Sequence, residues 1–375
     1  MRSADATINK HKRELELCTY CPKLCRHSCP VSNATGRETH TPQAKMQLLN
    51  HLQQGSVEWT RETARPLFAC LECKNCTTYC DHGNDVAGAL AAGKAAASER
   101  GLQPIEYTQA VRDYRLRETR LRNALQRTAA ASEMATRGRI AYLPGCDNIE
   151  FFPETISDAF SIFRRLDLRF VRMPSGITCG GHPLWAAGAW SAAHVETERL
   201  LEHLSGFSTL VMGCAPCTDL WRRRLEEHGI SHQLDVIHTS EFFFTHLERL
   251  KPRSVRRAAL FHDSCSLGRG LGVYDPPRRV ASRCVEHLGE FFHHRDRSPC
   301  CGADPALDAA MPEVRAKQRT ERLGEASRYG IDTVVTTCAR CRRSLSRSAA
   351  GDQRNTVDLV DLTNLLAEAL HTENR

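Results

Sequence analysis

Seventeen of the eighteen cysteines in this chain fall into four sets with short, regular spacings, and that pattern limits the fold more than any other property. The tightest constraint lies toward the carboxy terminus. There Cys265 is followed by Cys300-Cys301-Gly302 and then by Cys338-Ala339-Arg340-Cys341, with thirty-four residues between Cys265 and Cys300 and thirty-six between Cys301 and Cys338. A disulfide between adjacent cysteines would close a strained ring through the peptide bond. Five thiols on three loops also exceed any packing need. Thiolates gather around iron–sulfur or zinc, and a Cys-Cys step lets neighbouring residues ligate neighbouring metals.

Two further sets lie near the amino terminus. The first is Cys18, Cys21, Cys25 and Cys29; the second is Cys70, Cys73, Cys76 and Cys80. The second has the Cys-x2-Cys-x2-Cys-x3-Cys spacing that wraps a [4Fe-4S] cube, whose fourth cysteine ligates the other cluster of a pair. On that rule one cluster takes Cys18, Cys21, Cys25 and Cys80, and the other takes Cys70, Cys73, Cys76 and Cys29. Two departures stand out. The first run has three residues between its second and third cysteines, and Asp81 stands where proline usually follows the second. The competing reading is a pair of four-cysteine zinc sites. Between the runs, Thr41, Pro42 and Gly55 read as cap, first residue and stop of a helix, with Met46, Leu49 and Leu52 on one face. An alanine-rich helix follows the second run, with Gly88 and Gly93 allowing close packing, and residues 104–138 read as a charged helical connector with a stripe of Val111, Tyr114, Leu121 and Leu125.

From Arg139 short apolar runs alternate with helical stretches, which predicts parallel sheets covered by helices. The pattern then repeats. Cys146 and Cys265 are offset by 119, Cys179 and Cys300 by 121, and Cys217 and Cys341 by 124. A nearly constant offset over the whole span marks an internal duplication. The first copy offers Cys146, Cys179, Cys214 and Cys217 but has Cys179-Gly180-Gly181 where the second has Cys300-Cys301-Gly302. With one ligand fewer, it is expected to hold a [4Fe-4S] cube, a zinc ion, or nothing. The expected fold class is α/β: a helical amino-terminal module over 1–100, a linker over 101–138, and two α/β units over 139–252 and 253–375 with short parallel sheets.

The segment FHDSCSLGRGLGVYDPPRRV, the Cys-Cys-Gly step and the closing Cys-x2-Cys resemble the cysteine-rich CCG domain of the heterodisulfide reductase family. Ser264 and Ser266 stand where that family commonly has Pro and His. The resemblance implies a noncubane [4Fe-4S] cluster on Cys265, Cys300, Cys301, Cys338 and Cys341, the candidate catalytic site. The helices between the amino-terminal runs resemble the α-helical ferredoxin module of succinate dehydrogenase and heterodisulfide reductase subunits. The whole pattern is similar to the iron–sulfur subunits of glycolate oxidase and anaerobic glycerol-3-phosphate dehydrogenase.

The remaining residues narrow the function. The glycines Gly268, Gly270 and Gly272 do not form a dinucleotide fingerprint, so no flavin or nicotinamide site is read and a flavoprotein or a membrane or quinone redox subunit is the expected partner. A net charge of +7 without a basic block interleaved with aromatics gives no nucleic-acid surface. No apolar run spans a membrane and no leader is read, so the expected place is the cytoplasm, or the inner face of the membrane through a partner. Cys284 reads as a buried structural cysteine. His182 and His238 read as structural, while His262 and Asp263 read as either turn residues or hydrogen-bonding neighbours of a sulfur. The expected function is an iron–sulfur subunit that relays electrons through two cubes to the carboxy-terminal cluster, where a disulfide or quinone is reduced. The rival is a zinc-bound scaffold without redox activity; a cluster-based sensor would need a further domain.

Overall fold

A computed structural model describes residues 3–128, 138–168, 171–346 and 357–371. The chain divides into two compact units. One comprises Met1–Arg115, Gly181–Glu196 and Pro299–Thr320; the other comprises Leu116–Gly180, Thr197–Ser298 and Glu321–Arg375.

The first unit is helical. Its Pro42–Gln54 helix starts where the Thr41 hydroxyl accepts the Ala44 N–H and stops at Gly55, whose φ of 73° suits glycine. Met46, Leu49 and Leu52 are buried, as the helical period predicts. The Val86–Glu99 helix, capped by Asp85, is buried along nearly its whole length. Its small residues bring neighbours close: a Cβ on Gly93 would lie 3.1 Å from Leu49. Segments far away in sequence complete the core. Leu307, Met311 and Val314 pack with Cys29, Val31 and Ala69. Ala187 and Ala306 pack with Phe68, Ala97 and Tyr107. The connector forms one helix, Ile105–Gln126, with Tyr114 and Leu121 buried; its residues 129–137 lie outside the described residues.

The second unit carries two four-stranded parallel sheets. The strands are β1 (Ile140–Leu143), β2 (Val171–Arg172), β3 (Thr209–Met212), β4 (Asp235–His238), β5 (Val255–His262), β6 (Val285–Glu290), β7 (Thr333–Thr336) and β8 (Asp358–Asp361). One sheet has the order β2-β1-β3-β4 and the other β6-β5-β7-β8, so the duplication extends to topology. Parallel neighbours require crossovers, which the intervening helices supply. β1, β3 and β7 are short and almost wholly buried, which is why they read as continuous apolar runs instead of alternating ones. Part of the run expected as β2, residues 169 and 170, lies outside the described residues. The strand β6 escaped sequence reading because VEHLGE has neither a clean period nor an apolar run.

The two copies pack reciprocally. The helix after β1, Glu154–Arg165, lies on the helix after β8, Leu362–His371. The helix after β4, Thr239–Thr245, lies on the helix after β5, Asp275–Cys284. First-on-last and last-on-first is the arrangement of a two-fold exchange. Asn364 fastens the first pair, with its Nδ2 2.7 Å from Asp158 and its Oδ1 2.9 Å from the Thr155 hydroxyl.

His238 closes β4 and begins the next helix, its Nδ1 accepting the Ser240 N–H at 3.1 Å. Burial, with Arg222 nearby, pushes its pKa down to about 3. Its ordinary value is about 6.5, so between those values the unfolded chain binds the proton and the folded chain does not. Stability is therefore lost as pH falls below about 6.5, by about 2 kcal/mol at pH 5 for this group. Comparing denaturant midpoints at pH 7 and pH 5 for the native chain and His238→Asn, which keeps a capping acceptor, is expected to show the smaller acid loss in the variant.

Candidate metal centres

The two amino-terminal runs are interleaved in the helical unit. Cys29, from the first run, lines one cavity together with Cys70, Cys73 and Cys76 of the second. Lys45, Val86, Ala87 and Leu90 close its walls. The loops are held in register by Asn75, whose Nδ2 donates to the Ser28 carbonyl at 2.9 Å. Cys18, Cys21, Cys25 and Cys80 form the other group: the thiols of Cys80 and Cys21 both act electrostatically on Cys18 and Cys25. Burial pushes the Cys18 thiol up to about 11 and Cys25 to about 12, and raises Cys76 well above its usual range. Such thiols stay protonated near neutrality until a metal takes the proton's place. Asn84 donates to the Cys18 sulfur at 3.3 Å, an amide aimed at a prospective ligand.

In the sheet unit the cysteines sit where strands end. Cys146 follows β1, Cys214 follows β3, Cys265 follows β5 and Cys338 follows β7, the usual ligand side of parallel sheets. Cys146, Cys179, Cys217 and Cys214 form a continuous chain of hydrogen-bonded thiols, with Cys214 and Cys217 sulfurs 3.0 Å apart. Glycines permit this approach. A Cβ on Gly145, at φ 89°, would lie 2.7 Å from the Cys214 Cβ, and one on Gly180 would lie 2.9 Å from that of Cys217. Among the described residues no three His, Cys, Asp or Glu side chains are already arranged to hold a single ion; here the thiols touch one another instead. The donor set is still that of a four-thiolate centre.

Cys265, Cys338 and Cys341 belong to this unit, whereas Cys300 and Cys301 are carried by the segment Pro299–Thr320 of the helical unit. Cys265 opens a π-turn, Ser266–Gly270, a local form often found at functional sites. Three buried hydroxyls, on Thr178, Ser264 and Thr336, have no hydrogen-bond partner. Each lies within two residues of a candidate ligand, Cys179, Cys265 or Cys338. Orphaned hydroxyls beside thiols suit donation to cluster sulfur.

Other candidates resolve differently. Asp263 takes the guanidinium of Arg278 through both oxygens, at 2.7 and 2.8 Å, and accepts the Arg295 N–H. The His262 Nδ1 faces Arg322 at 3.3 Å. This pair therefore braces the end of β5. Gly270 is small because Asp219 lies against it, 2.8 Å from where a Cβ would stand, so packing explains it without a nucleotide. A Cβ on Gly302, at φ 77°, would lie 3.1 Å from the Arg315 backbone. Cys284 is fully buried at the end of its helix.

Sequence reading missed the charges that surround the thiols. Asp147, next to Cys146, meets Arg117 at 3.0 Å and Arg340 and Arg343 at 3.4 Å each. Burial alone would raise its pKa; the arginines, led by Arg340, outweigh that and hold it below the carboxylate range. Arg340 precedes Cys341, so this network ties the cysteine loop of one copy to that of the other.

Comparison with known proteins agrees with this arrangement. Residues 14–84 match the 4Fe-4S dicluster domain and residues 259–346 match the cysteine-rich domain. The chain is 23% identical to a subunit of the dihydromethanophenazine:CoB–CoM heterodisulfide reductase of Methanosarcina acetivorans, over 95% of this chain and 94% of that one. It is 24% identical to a subunit of the fumarate reductase (CoM/CoB) of Methanothermobacter marburgensis, over 93% of this chain and 72% of the other. It is 20% identical to the glycolate oxidase iron-sulfur subunit of Escherichia coli, over 92% and 93%. Among the described residues no helix is long and apolar enough to cross a membrane. The chain is an iron–sulfur protein built on a 4Fe-4S dicluster domain and a cysteine-rich domain, homologous to the heterodisulfide reductase and glycolate oxidase iron–sulfur subunits.

Proposed function

We propose that this chain is the electron-relaying subunit of an oxidoreductase complex. The observation that carries the reading is the shared cavity in which Cys29 of one run joins Cys70, Cys73 and Cys76 of the other. That crossing is the ligand logic of paired [4Fe-4S] clusters, and independent zinc knuckles would not need it. Cys18, Cys21, Cys25 and Cys80 hold the second cube. Cys265, Cys300, Cys301, Cys338 and Cys341 hold the carboxy-terminal cluster, which is noncubane on the five-cysteine pattern. Cys146, Cys179, Cys214 and Cys217 hold a fourth centre, a cube or a zinc ion. Bound clusters supply one-electron steps; the chain's own residues fix their positions, exclude water and provide donors to sulfur. The carboxy-terminal centre is the terminus, where a disulfide or quinone is reduced or electrons pass to a flavoprotein or membrane partner.

Metal and sulfide analysis of anaerobically purified protein tests this reading, with absorption and reduced-state EPR spectra alongside. About twelve to sixteen irons with matching sulfide are expected, from four per cluster. Twelve irons with one zinc would identify the fourth centre as zinc. Zinc alone, without reducible signals, would leave a scaffold and sink the relay.

A further inference from the structure

The two amino-terminal thiol groups sit in opposite electrostatic surroundings. Around Cys18 the acting charges are those of Cys80, Cys21 and the Glu14 carboxylate, all negative. Around Cys29, Cys70, Cys73 and Cys76 stand two buried lysines. Lys94 donates to the Cys70 carbonyl at 2.7 Å and pairs with Glu72 at 3.0 Å, so its charge is largely compensated. Lys45 is 1% exposed. Its ammonium donates to the Ala69 carbonyl at 2.6 Å and lies 4.0 Å from the Cys29 sulfur. Among the described residues, Lys45 forms no ion pair with a carboxylate.

A buried ammonium is costly without a counter-charge. The carbonyl supplies only a dipole; the remaining negative charge within reach is that of the thiolate centre. A fixed positive charge beside a cluster favours the state with the added electron, and low local polarity strengthens the effect. We propose that Lys45 makes the centre on Cys29, Cys70, Cys73 and Cys76 the higher-potential member of the pair, so that electrons enter at Cys18, Cys21, Cys25 and Cys80 and run inward. This rests on the cluster reading above. In the step itself one electron leaves the reduced outer centre and one enters the oxidised inner centre, with no bond or proton transferred. The site geometry fits that direction. Tyr20 and Leu24, flanking Cys21, are 88% and 55% exposed, giving the outer centre an accessible apolar rim, while the inner one lies behind buried residues.

The test is an EPR-monitored titration of the whole chain with dithionite, comparing the native protein with Lys45→Met and Lys45→Arg. The signal lost in Cys73→Ser identifies the inner centre. In the native protein the inner centre is expected to reduce first. In Lys45→Met its reduced-to-oxidised ratio at the native midpoint is expected to fall at least tenfold, a downward shift of about 59 mV for one electron. The outer centre is expected to shift less, and Lys45→Arg is expected to restore the native order. An unmoved midpoint in Lys45→Met overturns the proposal. So does a native protein whose outer centre reduces first, a result that needs no variant to fold. Two reducible centres in the wrong order refute this inference alone, whereas an iron-free protein refutes the cluster reading with it.

Discussion

Cys73→Ser is expected to remove about four irons and their sulfides from each chain, the content of one cube. Cys73 shares its cavity with Cys29, Cys70 and Cys76, so a hard alcohol replaces one of four soft ligands and the centre loses a corner. Cys29→Ser is expected to remove the same four irons, although Cys29 belongs to the other run in sequence; that equivalence separates crossed ligation from one centre per run. Cys284→Ser is the control. Its thiol is fully buried and pushed up to about 12 by that burial, so iron content is expected to hold while stability falls. Iron and sulfide assays of the three variants decide the matter, and retention of all the iron in Cys73→Ser would sink the assignment.

Asp263→Asn is expected to be the most destabilising change in the sheet unit outside the cysteines. The Asp263 side chain is 4% exposed and that of Arg278 9%, and two short bonds join them. Breaking a buried pair by removing one partner costs about 3–5 kcal/mol, because the other charge is left without compensation. Glu290 still faces Arg278 at 2.6 Å, and Phe261 still lies under the guanidinium at 4.7 Å. These contacts place the expected loss at the lower end, about 3 kcal/mol. Replacing Asp263 and Arg278 together with apolar residues of similar volume is expected to recover most of it. Denaturant midpoints measure both variants. A loss of iron in Asp263→Asn without loss of stability would instead return Asp263 to the role of a ligand-supporting group.

Much of this protein is legible in its sequence because its chemistry is local. The Thr41 cap, the Gly55 stop, the short apolar strands and the spaced cysteines each state their own structure within a few residues, and the constant offset of about 120 between copies announces the shared strand order. What local patterns cannot carry is which distant groups share a dielectric. Lys45 reads as an ordinary lysine on an amphipathic helix; only the packing of Ala69 and Cys29 around it makes it a buried cation. Asp147 reads as a helix-start carboxylate; only the packing of one copy on the other gathers three arginines around it. Asp263 beside Cys265 reads as a neighbour of the metal, until β6 and the following loop bring Arg278, Glu290 and Arg295 to it. The sequence determined the ligands and the duplicated frame, since thiol spacing and apolar period act over a few bonds. The tertiary structure decided the charges around those ligands, since Coulomb interactions depend on distance and burial and not on separation along the chain.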